Sequence, residues 1–187
     1  MTNQTINNIL SRRSTRAFTD EKITEETMNI ILNAGLHAPS AHNQQSWHFT
    51  VIYNKDLIDE INFETKKVLG NFPDRRLNRI SGNENFHIFY NAPVAVIVSG
   101  EESAIMPLED CSAATQNMLI AAESLGIGSC WIGFARYLFT GDKEDYYKEK
   151  LSIPEGYMPY HGIALGYKKP REIMPLKRRE NTINNIY

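Results

Sequence analysis

The chain has 187 residues, 42% of them hydrophobic, enough for one domain with a substantial core and too few for two of ordinary size. Its formal net charge of -2 excludes the broad positive field that drives nonspecific binding to nucleic acid or membrane surfaces, so its basic residues must act locally. Cys111 and Cys130 are far apart and lack a histidine at metal spacing, which argues against both a disulfide framework and a zinc site.

The first eight residues are polar where a secretion signal needs an apolar stretch, and no apolar run approaches the roughly 20 residues of a membrane span. The expectation is a soluble cytoplasmic protein with reduced cysteines. Ile6, Ile9 and Leu10, spaced i, i+3, i+4, predict a short first helix whose end delivers the run Arg12-Arg13-Ser14-Thr15-Arg16-Ala17-Phe18. Thr24 as N-cap with Glu25 and Glu26 in the first turn predicts a second helix, with Met28, Ile31 and Leu32 as its apolar stripe and Pro39 marking its end. His48 to Tyr53, aromatic and β-branched, reads as a strand, and Leu57, Ile58, Ile61, Thr65, Val68 and Leu69 trace a helix stopped at Gly70.

From Asn71 to about His87 the chain is polar and unpatterned, so it is either a mobile loop or a cover over a site. Pro93 to Val98 reads as a strand buried on both faces and central in its sheet. Asp110 to Leu125, with Ala113, Ala114, Met118, Ala121 and Ala122, reads as the most buried helix, ended by Gly126. Asp142 to Leu151 predicts another short helix and Gly162 to Tyr167 the last strand, after which Lys168, Lys169, Arg171, Lys177, Arg178 and Arg179 form a basic tail. With little apolar surface of its own, that tail either frays or is ordered by crossing another surface.

Arginine's planar fork of donors matches phosphate oxygens and keeps its charge on partial burial. Arg12, Ser14 and Arg16 alternate, so an extended segment would turn all three to one side; Lys177 and Arg179 share that spacing. An exposed basic turn would carry the same letters. The segment Pro39-Ser40-Ala41-His42-Asn43-Gln44-Gln45-Ser46-Trp47-His48-Phe49 sets small hydroxyl and amide groups beside an aromatic residue. The run Gly126-Ile127-Gly128-Ser129-Cys130-Trp131-Ile132-Gly133 follows a helix rather than a strand and lacks dinucleotide-fingerprint spacing; its glycines offer close backbone approach. Cys130 reads as a small packing residue, and the five histidines as hydrogen-bonding residues.

These three segments, in this order and with Met174-Pro175-Leu176-Lys177-Arg178-Arg179, resemble the FMN-dependent nitroreductase family from about Ile6 to Arg179. The resemblance implies a single α+β domain over residues 1–187, with a mostly antiparallel central sheet flanked by helices. It also implies a homodimer in which a C-terminal extension, about residues 168–187, packs on the partner subunit. Two FMN would sit at the interface. Arg12, Ser14, Arg16, Lys177 and Arg179 would grip the phosphate and ribityl chain, with Arg13 acting mainly through its backbone. Pro39, Ser40 and Asn43 would reach the flavin of the partner subunit. The backbone of Ile132 and Gly133 would face flavin N5 and O4, where a hydrogen bond tunes the ring.

Ser46 departs from the family pattern, which has proline before the tryptophan, and Trp131-Ile132-Gly133 is a variant of a Pro-x-Glu-Gly sequence. His87 falls near the position where some relatives place a lysine against the flavin pyrimidine. The implied reaction passes hydride from NAD(P)H through flavin N5 to a nitroaromatic, quinone or enone acceptor in ping-pong order. No catalytic side chain, metal, nucleic acid or membrane is expected. Two other readings stay open: a flavin-fragmenting or dehalogenating enzyme with 71–87 as lid, and a non-redox binding protein using the basic tail.

Overall fold

The computed structural model describes residues 3–170 and 177–187; Arg171 and the Met174-Pro175-Leu176 part of the tail lie outside the described residues. Helix α1 (Gln4–Ser11) starts where the Asn3 side chain accepts the Ile6 N–H at 3.0 Å, and α2 (Glu25–Leu36) where the Thr24 hydroxyl accepts the Thr27 N–H at 3.2 Å. Asn54 caps α3 (Lys55–Leu69), which buries Ile58, Ile61, Thr65 and Leu69 along the expected stripe and stops at Gly70. Helix α5 (Pro107–Ser124) buries seven residues, more than any other described helix.

Four strands, β1 (Trp47–Ile52), β2 (Val94–Glu101), β3 (Ile127–Ile132) and β4 (Tyr157–Tyr167), form one sheet in the order β1-β2-β4-β3, every neighbour antiparallel. Period-2 alternation splits the strand residues between two cores. Val94, Val96, Val98, Ile163 and Leu165 pack with Met28 and Ile31 of α2 and with Met118 of α5. Ala95, Ile97, Ala164, Cys130 and Ile132 pack on the other face with Ile58 and Ile61 of α3, Leu138, Phe139 and Tyr147. Cover on both faces is why β2 reads as a continuous apolar run.

Two expectations need correction, and one run gains an element not assigned to it from the sequence. The stretch 71–87 contains a helix, α4 (Arg75–Ser81), started by Asp74, whose carboxylate accepts the Arg76 N–H at 2.7 Å; none of its residues is buried, so it leaves no apolar stripe to read. The glycine-rich run is a strand, β3, following a left-handed Gly126 at φ 75°. Strand β4 begins at Tyr157 rather than Gly162, because its first half pairs across a bulge opposite Val98 and Ser99. A further short helix, α6 (Glu144–Lys150), falls where a helix was expected.

Strand β3 is a sheet edge, and the arginine segment covers it. Ser14 bridges Ser129, Phe18 bridges Lys168, and the Thr15 N–H donates to the Ser129 carbonyl at 2.9 Å. Gly128 permits this approach: a Cβ there would lie 2.8 Å from Thr15 Cγ2 and 2.9 Å from Lys168 Cγ. Helix α1 is formed as expected, yet it buries nothing; Ile6, Ile9 and Leu10 are 42%, 48% and 61% exposed.

Candidate functional site

Ser14 and Thr15 pair with Ser129 at the edge of β3 and Phe18 with Lys168 just past the end of β4, which holds the segment between them. Thr15 is buried against Gly128, and the Arg16 and Arg12 charges with the Ser14 hydroxyl all favour the charged form of the Cys130 thiol. Burial pushes that thiol up, opposed by the Arg16 charge, the Ser14 hydroxyl and the Arg12 charge, so it is a packed thiol rather than a nucleophile. Arg13 is diverted: its Nη1 donates to the Leu10 and Arg12 carbonyls at 2.7 and 2.8 Å, closing the C-terminal end of α1.

Among the described residues no carboxylate pairs with Arg12, Arg13 or Arg16. Arg12 Nη1 is buried without a hydrogen-bond partner, and so is the neighbouring Ser129 hydroxyl. A buried charged donor left unmatched costs upward of about 1–3 kcal/mol. Two guanidinium groups with unmet donors and no acid beside them fit an incoming dianionic phosphate.

The wall beside this cluster comes from a segment that the sequence left blank. Arg16 Nε donates to the Tyr90 hydroxyl at 3.3 Å, the largest cause raising the Arg16 pKa above its ordinary value. Tyr90 meets Phe86 edge-on at 5.7 Å, and Phe86 meets Phe134 at 6.4 Å, directly after Gly133. Around Gly133 a Cβ would find no atom within 4 Å, so backbone is presented to open space where a flat ring can approach. Ile132, next to it, is buried in β3 opposite Gly162.

Tyr90 and Asn91 both take left-handed φ of 55°. The segment before them is braced by α3: Lys66 Nζ donates to the Asn83 and Phe86 carbonyls, and Asn62 accepts the Ile88 N–H at 2.9 Å. His87 is part of that brace, its Nε2 on Asp59 at 3.0 Å and its Nδ1 accepting the Phe89 N–H at 3.1 Å. Burial lowers its pKa, opposed by the Asp59 carboxylate.

Pro39, Ser40 and Asn43 sit on the loop before β1, and no described hydrogen bond, ion pair or ring contact joins them to the arginine segment. Strands β1 and β3 are opposite edges of the sheet, roughly 14 Å apart at a strand spacing of about 4.8 Å. The loop is strained, with His42, Asn43 and Gln45 at φ of 51°, 55° and 50°. Asp110, in the first turn of α5, holds both its ends: Oδ1 accepts the Ala41 N–H at 2.9 Å and Oδ2 accepts the Ser46 hydroxyl at 2.8 Å. Ser46, the departure from the family pattern, is thereby given a partner that proline would not use.

Lys177 and Arg179 are exposed, Lys177 paired with Glu180 at 2.8 Å, and no described contact brings either to Arg12 or Arg16. Trp131 packs edge-on to His161 at 4.7 Å, and His161 Nε2 meets the Ser112 hydroxyl at 2.9 Å; burial holds that imidazole down at about 4. No group of His, Cys, Asp or Glu side chains among the described residues has the geometry to hold a metal ion, and no described helix is long and apolar enough to cross a membrane.

Known proteins share this sequence pattern and fold. Residues 9–167 match the model of the Nitroreductase family. A nitroreductase from Bacteroides fragilis, crystallised with bound FMN, superposes with a TM-score of 0.93 at 34% identity, covering 100% of both chains. One from Desulfitobacterium hafniense, also with FMN, gives 0.89 at 30% identity, again over 100% of both. The FMN reductase (NADPH) of Bacillus subtilis is 28% identical over 97% of this chain and 75% of its own length.

Proposed function

The chain belongs to the nitroreductase family, and on that footing we propose that it reduces nitroaromatic, quinone or enone acceptors at a flavin site shared between two copies of itself. It is an NAD(P)H-dependent FMN oxidoreductase. When bound, FMN would supply the redox chemistry that links NAD(P)H to the acceptor.

The chain's own residues bind, orient and shield. Arg12, Ser14 and Arg16 take the phosphate, the observation that carries the reading being that Arg12 Nη1 is buried and unmatched in a segment where no described carboxylate pairs with any arginine. Arg13 contributes through its backbone, since its side chain caps α1. The Ile132 and Gly133 backbone would hold the ring, for which the open space beside Gly133 leaves room. Because Gly133 presents backbone to open space, selection rests on stacking, which suits flat acceptors.

Pro39, Ser40 and Asn43 of the partner subunit complete the site, and Lys177 and Arg179 add charge at the phosphate. Sharing is supported by the separation of the 39–45 loop from the arginine segment within one chain. It is supported too by the apolar surface left exposed on α1 and at Ile105, Met106 and Leu108.

An absorption spectrum from about 300 to 600 nm, taken before and after anaerobic NADH and NADPH, tests the reading. A flavin band bleached by either nucleotide and restored by a quinone is expected. A colourless protein that takes up no added FMN would overturn it.

A further inference from the structure

We propose that Asp110 is a positioning residue for the flavin site: it fixes the strained loop carrying Ser40 and Asn43 in its binding conformation. The inference rests on the reading that this loop reaches flavin.

Asp110 is 3% exposed, and among the described residues no cation pairs with it. A carboxylate in that position must be matched by donors, and it finds them at the two ends of one loop, 69 and 64 residues away in sequence. Its place in the first turn of α5 adds the favourable end of the helix dipole. Ser46, its second partner, is 1% exposed, so the contact is sealed from water.

Between those anchors the chain makes three left-handed turns at residues with side chains, none of them glycine. Bonds within the loop run from the Gln45 N–H to the Ser40 hydroxyl at 3.0 Å, the Asn43 N–H to the Ser40 carbonyl at 3.1 Å, the Gln44 N–H to the Ala41 carbonyl at 3.0 Å and Gln45 Nε2 to Asn43 Oδ1 at 3.2 Å. Gln44 Oε1 also accepts the Ile105 N–H at 2.9 Å, so Asp110 is the tether at the loop's ends and Ile105 one at its middle. Such backbone persists only where the surroundings over-determine it. Asp110 supplies that constraint from a rigid helix. Without it the loop samples other conformations, and ligand must select the competent one at a cost in affinity.

The test uses the full chain. FMN dissociation constants are measured by flavin fluorescence at a temperature well below unfolding, with the melting temperature of the flavin-free protein and amide exchange at Ala41 and Gln45 alongside. Asp110→Ala is expected to weaken FMN about tenfold or more and to speed exchange at both amides. Ser46→Ala, which removes one of the two anchors, is expected to weaken it about threefold.

Asp110→Asn keeps an oxygen for the Ala41 N–H and offers an N–H to the Ser46 oxygen, so it is expected to stay within about twofold of wild type. Should Asp110→Ala fail to fold, Ser46→Ala and Asp110→Asn decide between the same outcomes. Wild type that binds FMN, with unchanged affinity in every folded variant but a lower melting temperature, overturns the inference alone. Wild type that binds no FMN overturns it together with the functional reading.

Discussion

The Tyr90 hydroxyl holds Arg16 Nε at 3.3 Å, with the guanidinium carbon 5.7 Å from the centre of the Tyr90 ring. The contact fixes one edge of the fork, so the two terminal nitrogens need lose less rotamer freedom when an anion arrives. Tyr90→Phe removes a single neutral partner and is expected to weaken FMN about two- to tenfold. Arg16→Ala removes a charge-assisted bond and is expected to cost about ten- to a hundredfold. Riboflavin, which lacks the phosphate, serves as control: equal losses for both ligands would sink the assignment of Arg16 to the phosphate.

Gly133 and Gly128 separate binding from folding. Alanine at Gly133 meets no atom within 4 Å, so the melting temperature should stay within about 2 °C of wild type while FMN affinity falls, because the added methyl occupies the space kept for the ring. Alanine at Gly128 meets Thr15 Cγ2 at 2.8 Å and pushes the arginine segment off β3, so stability and FMN affinity should fall together. Unchanged FMN affinity in the Gly133 variant would show that the open space is not the flavin's.

How far the letters reveal the fold depends on which element is asked. Thr24 with Met28 and Ile31 was readable because the cap precedes a stripe that the core buries, and Ile58 with Ile61 was readable from the stripe alone, the Asn54 cap going unread. Helix α4 buries nothing, and β3 reads as glycine-rich because an arginine segment, not a side chain of its own, fills the space above Gly128. At the site, the alternation of Arg12, Ser14 and Arg16 was legible as soon as the segment is taken as extended. Tyr90 and Asp110 were not, since their partners lie 74 and 64 to 69 residues away and neither sits in a recognisable pattern.

The pH dependence of stability should carry the mark of His161. Burial is the first cause holding it down at about 4, with the Arg136 charge adding to it, so the fold keeps a neutral ring where the unfolded chain takes a proton near about 6.5. Stability from this group is complete above about pH 6.5 and is lost as pH falls toward about 4. His48 and His87 are also lowered, chiefly by burial, and act in the same sense. A melting temperature lower by several degrees at about pH 4.5 than at about pH 7 is expected, and a shallower decline in His161→Gln, which keeps an amide N–H for the Ser112 hydroxyl. A His161→Gln profile parallel to wild type would assign the acid loss to other groups.

Subunit sharing predicts an arithmetic that no single-chain site can produce. If Asn43 completes the site built on Arg16 of the partner subunit, a dimer of one Asn43→Ala chain and one Arg16→Ala chain contains one site with both defects and one with neither. Co-expression with two affinity tags isolates that mixed dimer. It should bind about one FMN per dimer with wild-type affinity and show about half the wild-type turnover, while each homodimer is impaired at both sites. Two impaired sites in the mixed dimer, one with the affinity of the Asn43→Ala homodimer and one with that of the Arg16→Ala homodimer, would mean that Arg16 and Asn43 of the same chain serve the same flavin. That outcome would require the 39–45 loop to cross from the β1 edge of the sheet to the β3 edge, which the bonds from Asp110 to Ala41 and Ser46 oppose.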